Sequence, residues 1–392
     1  MRVRRLERVS RCRWAGVSIF VLVAWLAAGS ATAQTSDRTI ALGEAYSFRS
    51  SILGEDRPLQ VSLPETYSRT TIAYPVLFLL DGSSHLLHAT ATARFLAAAR
   101  NRIPEMIVVA IPNTNRNRDM TPGPGAATFE RVLAEELIPW VERTFRAAPE
   151  RILVGHSLSA SFAVHTLLNR PELFDAYVVA SAPVWRYDGL AGDIAQGFPR
   201  AAKAGAAVYL SVGQQENDQL RAGMQRFADA LRSAGAGGPA WRYADLADQD
   251  HSSTPQPSLH DALEARYAEY RFPFFETPAE LAQAGGLQGL EAHYRRASAR
   301  FGYDSPPPEA RLVAVGRIYL TEGRHDDLLR LAKAYAGPYP VMAERLVNQG
   351  WLRSPHAWRG PARDTGVQGQ RRRIPRVTER ARQPGRCLLP RR

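Results

Sequence analysis

Arg151-Ile152-Leu153-Val154-Gly155-His156-Ser157-Leu158-Ser159-Ala160 is the stretch on which the fold of this chain turns. A β-rich run ends at Gly155, and a helical pattern starts after Ser157 and continues through Phe162, Val164 and Leu167. Small residues flank the serine, as a cramped strand-to-helix turn requires, and such a turn exposes the hydroxyl at the carboxyl edge of a sheet. The N-terminus of the following helix aims backbone N–H groups, that of Leu158 among them, at a developing oxyanion. Gly-x-Ser alone carries little information, since Gly16-Val17-Ser18 and Gly82-Ser83-Ser84 also match it. The strand before and the helix after set this one apart from a helix-capping serine. The second glycine usual in such an elbow is Ser159 here, a small residue of a different kind.

Outward from that stretch, short apolar runs alternate with longer helical patterns. The runs are 46–53, 59–63, 76–80, 107–110, 152–154, 177–180, 208–212 and 241–246. The first two lie close together and predict an antiparallel pair at a sheet edge. The later ones are nearly continuous in Val, Ile and Leu, as parallel strands covered on both faces are. Helical patterns over 85–100, 129–146, 158–169 and 218–234 lie between them. The alternation predicts an α/β domain with a mostly parallel eight-stranded sheet flanked by helices. After about Pro273 the strands stop. Helical patterns over 278–300, 309–322 and 325–336 follow, broken at Ser305-Pro306-Pro307-Pro308 and Gly323, and read as a small C-terminal helical appendage. Tyr319-Leu320-x-x-Gly323 with Leu328, Leu329 and Tyr339-Pro340 resembles part of a tetratricopeptide repeat.

The chain order supplies partners for Ser157. The run 208–212 ends in Gly213-Gln214-Gln215-Glu216, which places a carboxylate at the same sheet edge, with Asp218 as the alternative acid. Past the last run comes Asp248-Gln249-Asp250-His251, a histidine on a loop before a helix. His165 and His260 fall within helical patterns, so His251 is the candidate to take the serine proton and return it to a leaving alcohol. A second oxyanion donor is expected from Leu79-Leu80-Asp81-Gly82-Ser83, at the N–H of Gly82 or Ser83, with Asp81 a turn residue or a binding carboxylate. The polar, Pro/Gly-rich loop 113–125 carries Arg118 and Asp119, either substrate-binding or paired with each other, and Trp185 either lines a pocket or packs. There is no HExxH, phosphate loop or dinucleotide fingerprint, and no metal or cofactor is expected.

The 392 residues carry a net charge of +12, but this is no mark of a nucleic-acid binder. Residues 1–13 hold six Arg against one Glu, and 353–392 hold twelve Arg against one Asp and one Glu, which leaves 14–352 at −3. The two cysteines, Cys12 and Cys387, lie in those end segments, so a disulfide framework or cysteine nucleophile in the body is excluded. Residues 1–33 read as a secretory signal: a basic start, an apolar stretch over 17–28, and Ala31-Thr32-Ala33 at the cleavage position. The expectation is a periplasmic or secreted protein with no stable membrane insertion after cleavage. Residues 353–392, rich in Arg, Pro, Gly and Gln, read as a disordered basic tail. The expected division is 1–33 signal, 34–275 catalytic domain, 276–352 helical extension and 353–392 tail.

The region from about Arg57 to Arg271 resembles the esterase-D-like esterase family of the α/β-hydrolase superfamily. The resemblance rests on Pro75-Val76-Leu77-Phe78-Leu79-Leu80-Asp81-Gly82, Arg118-Asp119-Met120-Thr121-Pro122, Glu136-Leu137-Ile138-Pro139, the elbow, and Pro171-Glu172-Leu173-Phe174-Asp175. It is nearest to an exported bacterial subgroup with a Leu-Leu-Asp-Gly loop and a C-terminal helical repeat. Where that subgroup commonly has His-Gly-Ser, this chain has His251-Ser252-Ser253. The resemblance implies an α/β-hydrolase fold and a serine hydrolase of carboxylic esters, of siderophore type by preference, with an acyl-enzyme on Ser157. Some siderophore esterases work with a Ser–His pair and no firm third member. An acyltransferase would share the acyl-enzyme, and an inactive fold used as a binding module, with the C-terminal helices contacting a protein, is the remaining alternative.

Overall fold

The computed structural model describes residues 41–99, 101–184, 190–235 and 238–353. The expected signal, the tail beyond 353, and Trp185 therefore lie outside the described residues. Two compact units emerge, Met1–Pro308 and Glu309–Arg392.

The first unit is built on one eight-stranded sheet. Its strands are β1 (Glu44–Ser50), β2 (Glu55–Ser62), β3 (Tyr74–Leu80), β4 (Ile107–Ile111), β5 (Ala147–His156), β6 (Ala176–Ala180), β7 (Ala207–Gly213) and β8 (Ala240–Leu246). Each contains or overlaps one of the eight runs read from the sequence. Their spatial order is β1-β2-β4-β3-β5-β6-β7-β8. β1 pairs antiparallel with β2, and β2 antiparallel with β4, at one edge; all other pairs are parallel. Every residue of β3, β4 and β6 is buried, which explains the unbroken apolar runs: both faces are covered and no side chain needs to face water.

The helices of this unit are α1 (Gly82–Ala98), α2 (Arg116–Met120), α3 (Pro124–Arg131), α4 (Ile138–Thr144), α5 (Leu158–Asn169), α6 (Leu190–Lys203), α7 (Asp218–Ala234), α8 (Pro255–Arg266), α9 (Pro278–Gln283) and α10 (Gly286–Phe301). A π-helical stretch, Val132–Leu137, joins α3 to α4, so the helix expected over 129–146 is real but irregular. The N–H of Ile138 reaches back five residues to Leu133 O just before Pro139, whose missing N–H breaks the regular ladder. Glu136 on this stretch accepts hydrogen bonds from Ser50 Oγ and the Ser51 N–H and so holds the β1–β2 turn.

The expected boundary at 275/276 moves to 308/309. Helix α10 packs with the segment that follows α8: Phe301 lies 5.1 Å from the Tyr267 ring, and His293 Nε2 is 3.0 Å from Tyr270 O. Helix α8 is tied to β5 by a bidentate pair, Arg266 Nε and Nη2 each 2.9 Å from a Glu150 oxygen, with the Glu150 side chain fully buried.

The second unit holds α11 (Glu309–Thr321), α12 (His325–Ala334) and α13 (Pro340–Arg353). The first two are the expected helices, joined at Gly323, whose φ of 70° favours glycine. A methyl at Gly316 would lie 2.9 Å from Leu346 and 3.1 Å from Leu328, so the three helices pack closely there. Helix α13 was not read from the sequence as an element. Among the described residues no helix is long and apolar enough to cross a membrane.

Candidate active site

Strand β5 delivers the elbow, pairing Leu153 with Phe78 of β3 on one side and Tyr177 of β6 on the other. At Gly155 the strand passes directly beneath the helix it leads into: a methyl there would lie 2.4 Å from Ser159 O and 2.7 Å from Ala160 N. Ser157 follows with φ 58° and ψ −126°, a conformation that a side chain rarely adopts. Main-chain bonds hold it there. Its N–H donates to Ala180 O at 2.9 Å, and its carbonyl accepts from Ala160 N at 3.0 Å and Ser161 N at 3.2 Å.

Three strand ends bring the expected partners together. His251 Nε2 lies 3.0 Å from Ser157 Oγ, and His251 Nδ1 lies 2.7 Å from Glu216 Oε2. With a carboxylate at Nδ1 the ring proton belongs there, which leaves Nε2 to accept from the serine hydroxyl. Glu216 is buried just past β7. Its other oxygen accepts from the Gly213 N–H at 3.0 Å, the Ser181 hydroxyl and the Thr254 hydroxyl at 3.3 Å. Burial by itself would raise its pKa, but the bonds from His251, Ser181 and Gly213 outweigh it and hold the carboxyl below the usual range. Asp218 is exposed in the first turn of α7, so of the two candidate acids it is Glu216 that meets His251. His165 and His260 sit on α5 and α8, as their helical patterns implied.

Beside this line of bonds lies His156, its ring centroid 4.6 Å from that of His251. Burial, and then the neighbouring His251, push His156 down to about 4. It stays neutral near neutral pH and sets no competing cation beside His251.

Leu158 is the first residue of α5, and Gly82 and Ser83 are the first two of α1, so their N–H groups have no partner within their own helices. Gly82 runs against β4, where a methyl would lie 2.6 Å from Ile111 N. The close backbone approach at this glycine is toward the neighbouring strand.

Asp81 is neither a plain turn residue nor a free binding carboxylate. It has φ 53° and ψ 41°, immediately before the two amides, and its buried side chain is fully engaged. Arg116 Nε and Nη2 reach its two oxygens at 2.7 and 2.9 Å, and Asn113 Nδ2 lies at 2.5 Å. Ser159 Oγ lies 2.7 Å from Asp81 Oδ2 and accepts the His156 N–H at 3.0 Å. The serine that replaces the customary glycine thus bonds the elbow to the loop carrying Gly82 and Ser83. Burial would raise the Asp81 pKa, but Arg116, Asn113 and Ser159 together lower it. We expect Asp81→Asn to cut kcat by roughly tenfold with KM changed much less, since it loosens the Gly82 and Ser83 amides, the expected oxyanion donors, which would act in the transition state. Steady-state kinetics check this, and a rise in KM with kcat unchanged would place the carboxylate against the substrate instead.

The loop pair Arg118 and Asp119 takes the local alternative. Asp119 is only 1% exposed and receives Arg57 Nη1 and Arg118 Nε, each at 2.6 Å. Arg118 also grips Glu55 at 2.7 Å. The pair ties the loop to β2, and Asp119 is too enclosed to meet a substrate.

Sequence reading missed Ser181, Thr254, Asn113 and Arg116. Ser181 stands one residue past the end of β6, the same placement that singled out Glu216 past β7, so that signal was available. Four of the five non-glycine residues with positive φ among the described residues follow strand ends at this edge: Asp81, Ser157, Ser181 and Asp248.

The family described as "Putative esterase" matches residues 50–270. The siderophore triacetylfusarinine C esterase of Aspergillus fumigatus is 29% identical over 34% of this chain and 53% of its own length. The siderophore enterobactin esterase of Emericella nidulans is 32% identical over 33% of this chain and 55% of its own. The chain thus spans about half the length of these two relatives. Among solved structures, an IroE-like serine hydrolase from Shewanella oneidensis superposes with a TM-score of 0.61 at 22% identity, covering 79% of this chain and 99% of that one, which shows a shared α/β-hydrolase fold.

Proposed function

The chain belongs to this esterase family, and on that premise we propose that it is a serine hydrolase of carboxylic esters acting through Ser157. Ser157 Oγ attacks the ester carbonyl as His251 Nε2 takes its proton, and the Leu158 amide with that of Gly82 or Ser83 stabilises the oxyanion. The tetrahedral intermediate collapses, and His251 passes the proton to the leaving alcohol. Water, activated by the same imidazole, then releases the acid. Glu216 orients the ring and stabilises its cation. The observation that carries this reading is the continuous line Glu216–His251–Ser157, at 2.7 and 3.0 Å, ending on a serine at the strained turn.

Two relatives are named for siderophore esters, and that class is the first to screen. Residues 1–33, with their basic start and apolar stretch, support a site of action outside the cytoplasm. The repeat-like pattern at Tyr319–Gly323 supports a protein contact for the C-terminal helices.

A fluorophosphonate probe tests the reading, because it reacts only with an activated serine. We expect labelling mapped to Ser157 and lost in His251→Ala. A folded protein that takes no label would instead be a binding module on an inactive hydrolase fold.

A further inference from the structure

A groove of about 960 Å³ runs between α1 and the start of α8, within the size range of small-molecule sites. Its lining takes in sequence neighbours of the proposed reaction centre. Ser84 in its lining follows Ser83, and Ser252 follows His251. The His85 ring in its wall lies 5.6 Å from His156, which in turn lies 4.6 Å from His251. Along α1 the lining continues to Phe95, whose side chain is left 65% exposed at the far end. Ser84 and Phe95 are eleven residues apart on one helix, roughly 16 Å at 1.5 Å per residue.

We propose that this groove receives the alcohol portion of the ester, and that it selects alcohols that are uncharged and long enough to reach Phe95. This rests on the esterase reading above. The imidazole that protonates the leaving oxygen must face it, so the alcohol departs on the side of the histidine. The groove is on that side, because Gln249, Ser252 and Ser253 of the His251 loop form its wall. Its chemistry is uncharged hydrogen bonding with an aromatic end. No Lys or Arg stands among its described lining residues, and the one carboxylate is Asp261. His85 and His88 bond to each other at 3.0 Å, and burial lowers the pKa of both, so they act as neutral donors and acceptors. An alcohol bearing a carboxylate would meet Asp261, whose Oδ1 already pairs with His260 Nδ1 at 3.1 Å, with no Lys or Arg among the described lining residues to receive it, whereas ether or hydroxyl oxygens find partners along the wall and a ring finds Phe95.

Three butyrates test this on the full chain: ethyl butyrate, the butyrate of triethylene glycol monophenyl ether, and the same ester with a 4-carboxyphenyl end. We expect kcat/KM for the phenyl ester to exceed that for its carboxyphenyl twin by roughly tenfold or more. Phe95→Ser, at an exposed position, should lower the phenyl ester by about tenfold and leave ethyl butyrate unchanged. Asp261→Asn should narrow the gap between the twins. Equal rates for the twins, or a Phe95→Ser loss shared by ethyl butyrate, would overturn the assignment. A wild-type protein that takes the fluorophosphonate label but hydrolyses none of the three would also overturn the assignment, whereas one that neither takes the label nor hydrolyses them would overturn the esterase reading on which it rests.

Discussion

We expect Ser157→Ala to lower kcat for a simple ester such as ethyl butyrate by roughly 10⁴–10⁶-fold, the range in which serine triads lose turnover when their nucleophile goes. The substitution removes the proposed nucleophile, Oγ at 3.0 Å from His251 Nε2. It leaves intact what holds the turn, because the bonds to Ala180 O and from Ala160 N are main-chain. Thermal unfolding should therefore stay close to wild type while turnover collapses. The residual rate comes from the oxyanion donors and binding, which Ser157→Ala does not touch. His251→Ala should give a similar loss, and the double variant should be no worse than either single one, because nucleophile and base act as a unit. Losses that multiply in the double variant would show two independent contributions and end the shared mechanism.

Gly155→Ala acts on the fold itself. Its methyl would lie 2.4 Å from the carbonyl oxygen of Ser159 and 2.6 Å from the carbonyl carbon, both backbone atoms of the first turn of α5. A flexible side chain could swing aside, but a helix backbone anchored under a buried sheet cannot. β5 and α5 must separate, and the separation opens the core where Ala160, Phe162 and Ala163 are fully buried. We expect a loss of about 3–5 kcal/mol, seen as a Tm lower by roughly 10 °C or more, or as failure to accumulate folded protein. Activity should fall with it, because Ser157 and the Leu158 amide ride on that crossing. A Gly155→Ala variant that melts and turns over as wild type would mean that the strand and helix lie further apart than described.

The strands were legible because their burial is written into composition. Val76–Leu80 and Ile107–Ile111 face no water on either side, so no polar residue interrupts them. The hydrogen-bonded line Glu216–His251–Ser157 was legible because it follows chain order and lies past strand ends, two properties of a linear sequence. Helix α6 was not. Gly197 and Pro199 inside it read as breakers, yet Gly197 is where the helix crosses α5, with a would-be methyl 2.8 Å from Leu168 Cα. Asp81 escaped for a related reason: its partner Ser159 is 78 residues away, and nothing local distinguishes a carboxylate in such a network from one in a turn. The expected boundary at 275/276 differs from the unit boundary at 308/309 because the strands end at Leu246 but the packing does not, and Tyr294 and Phe301 extend it.

The positive-φ residues at the sheet edge bear on how this protein could be engineered. A side chain held in such a conformation costs about 1–3 kcal/mol, and glycine would relieve it. At Asp81, Ser157 and Ser181 the side chain that causes the strain is also the one that bonds within the proposed machinery. A selection that ranks variants by melting temperature alone would therefore tend to favour glycine at the positions where turnover needs something else. Thermostable descendants of this chain should be sought with activity in the screen from the first round, and with these positions held fixed.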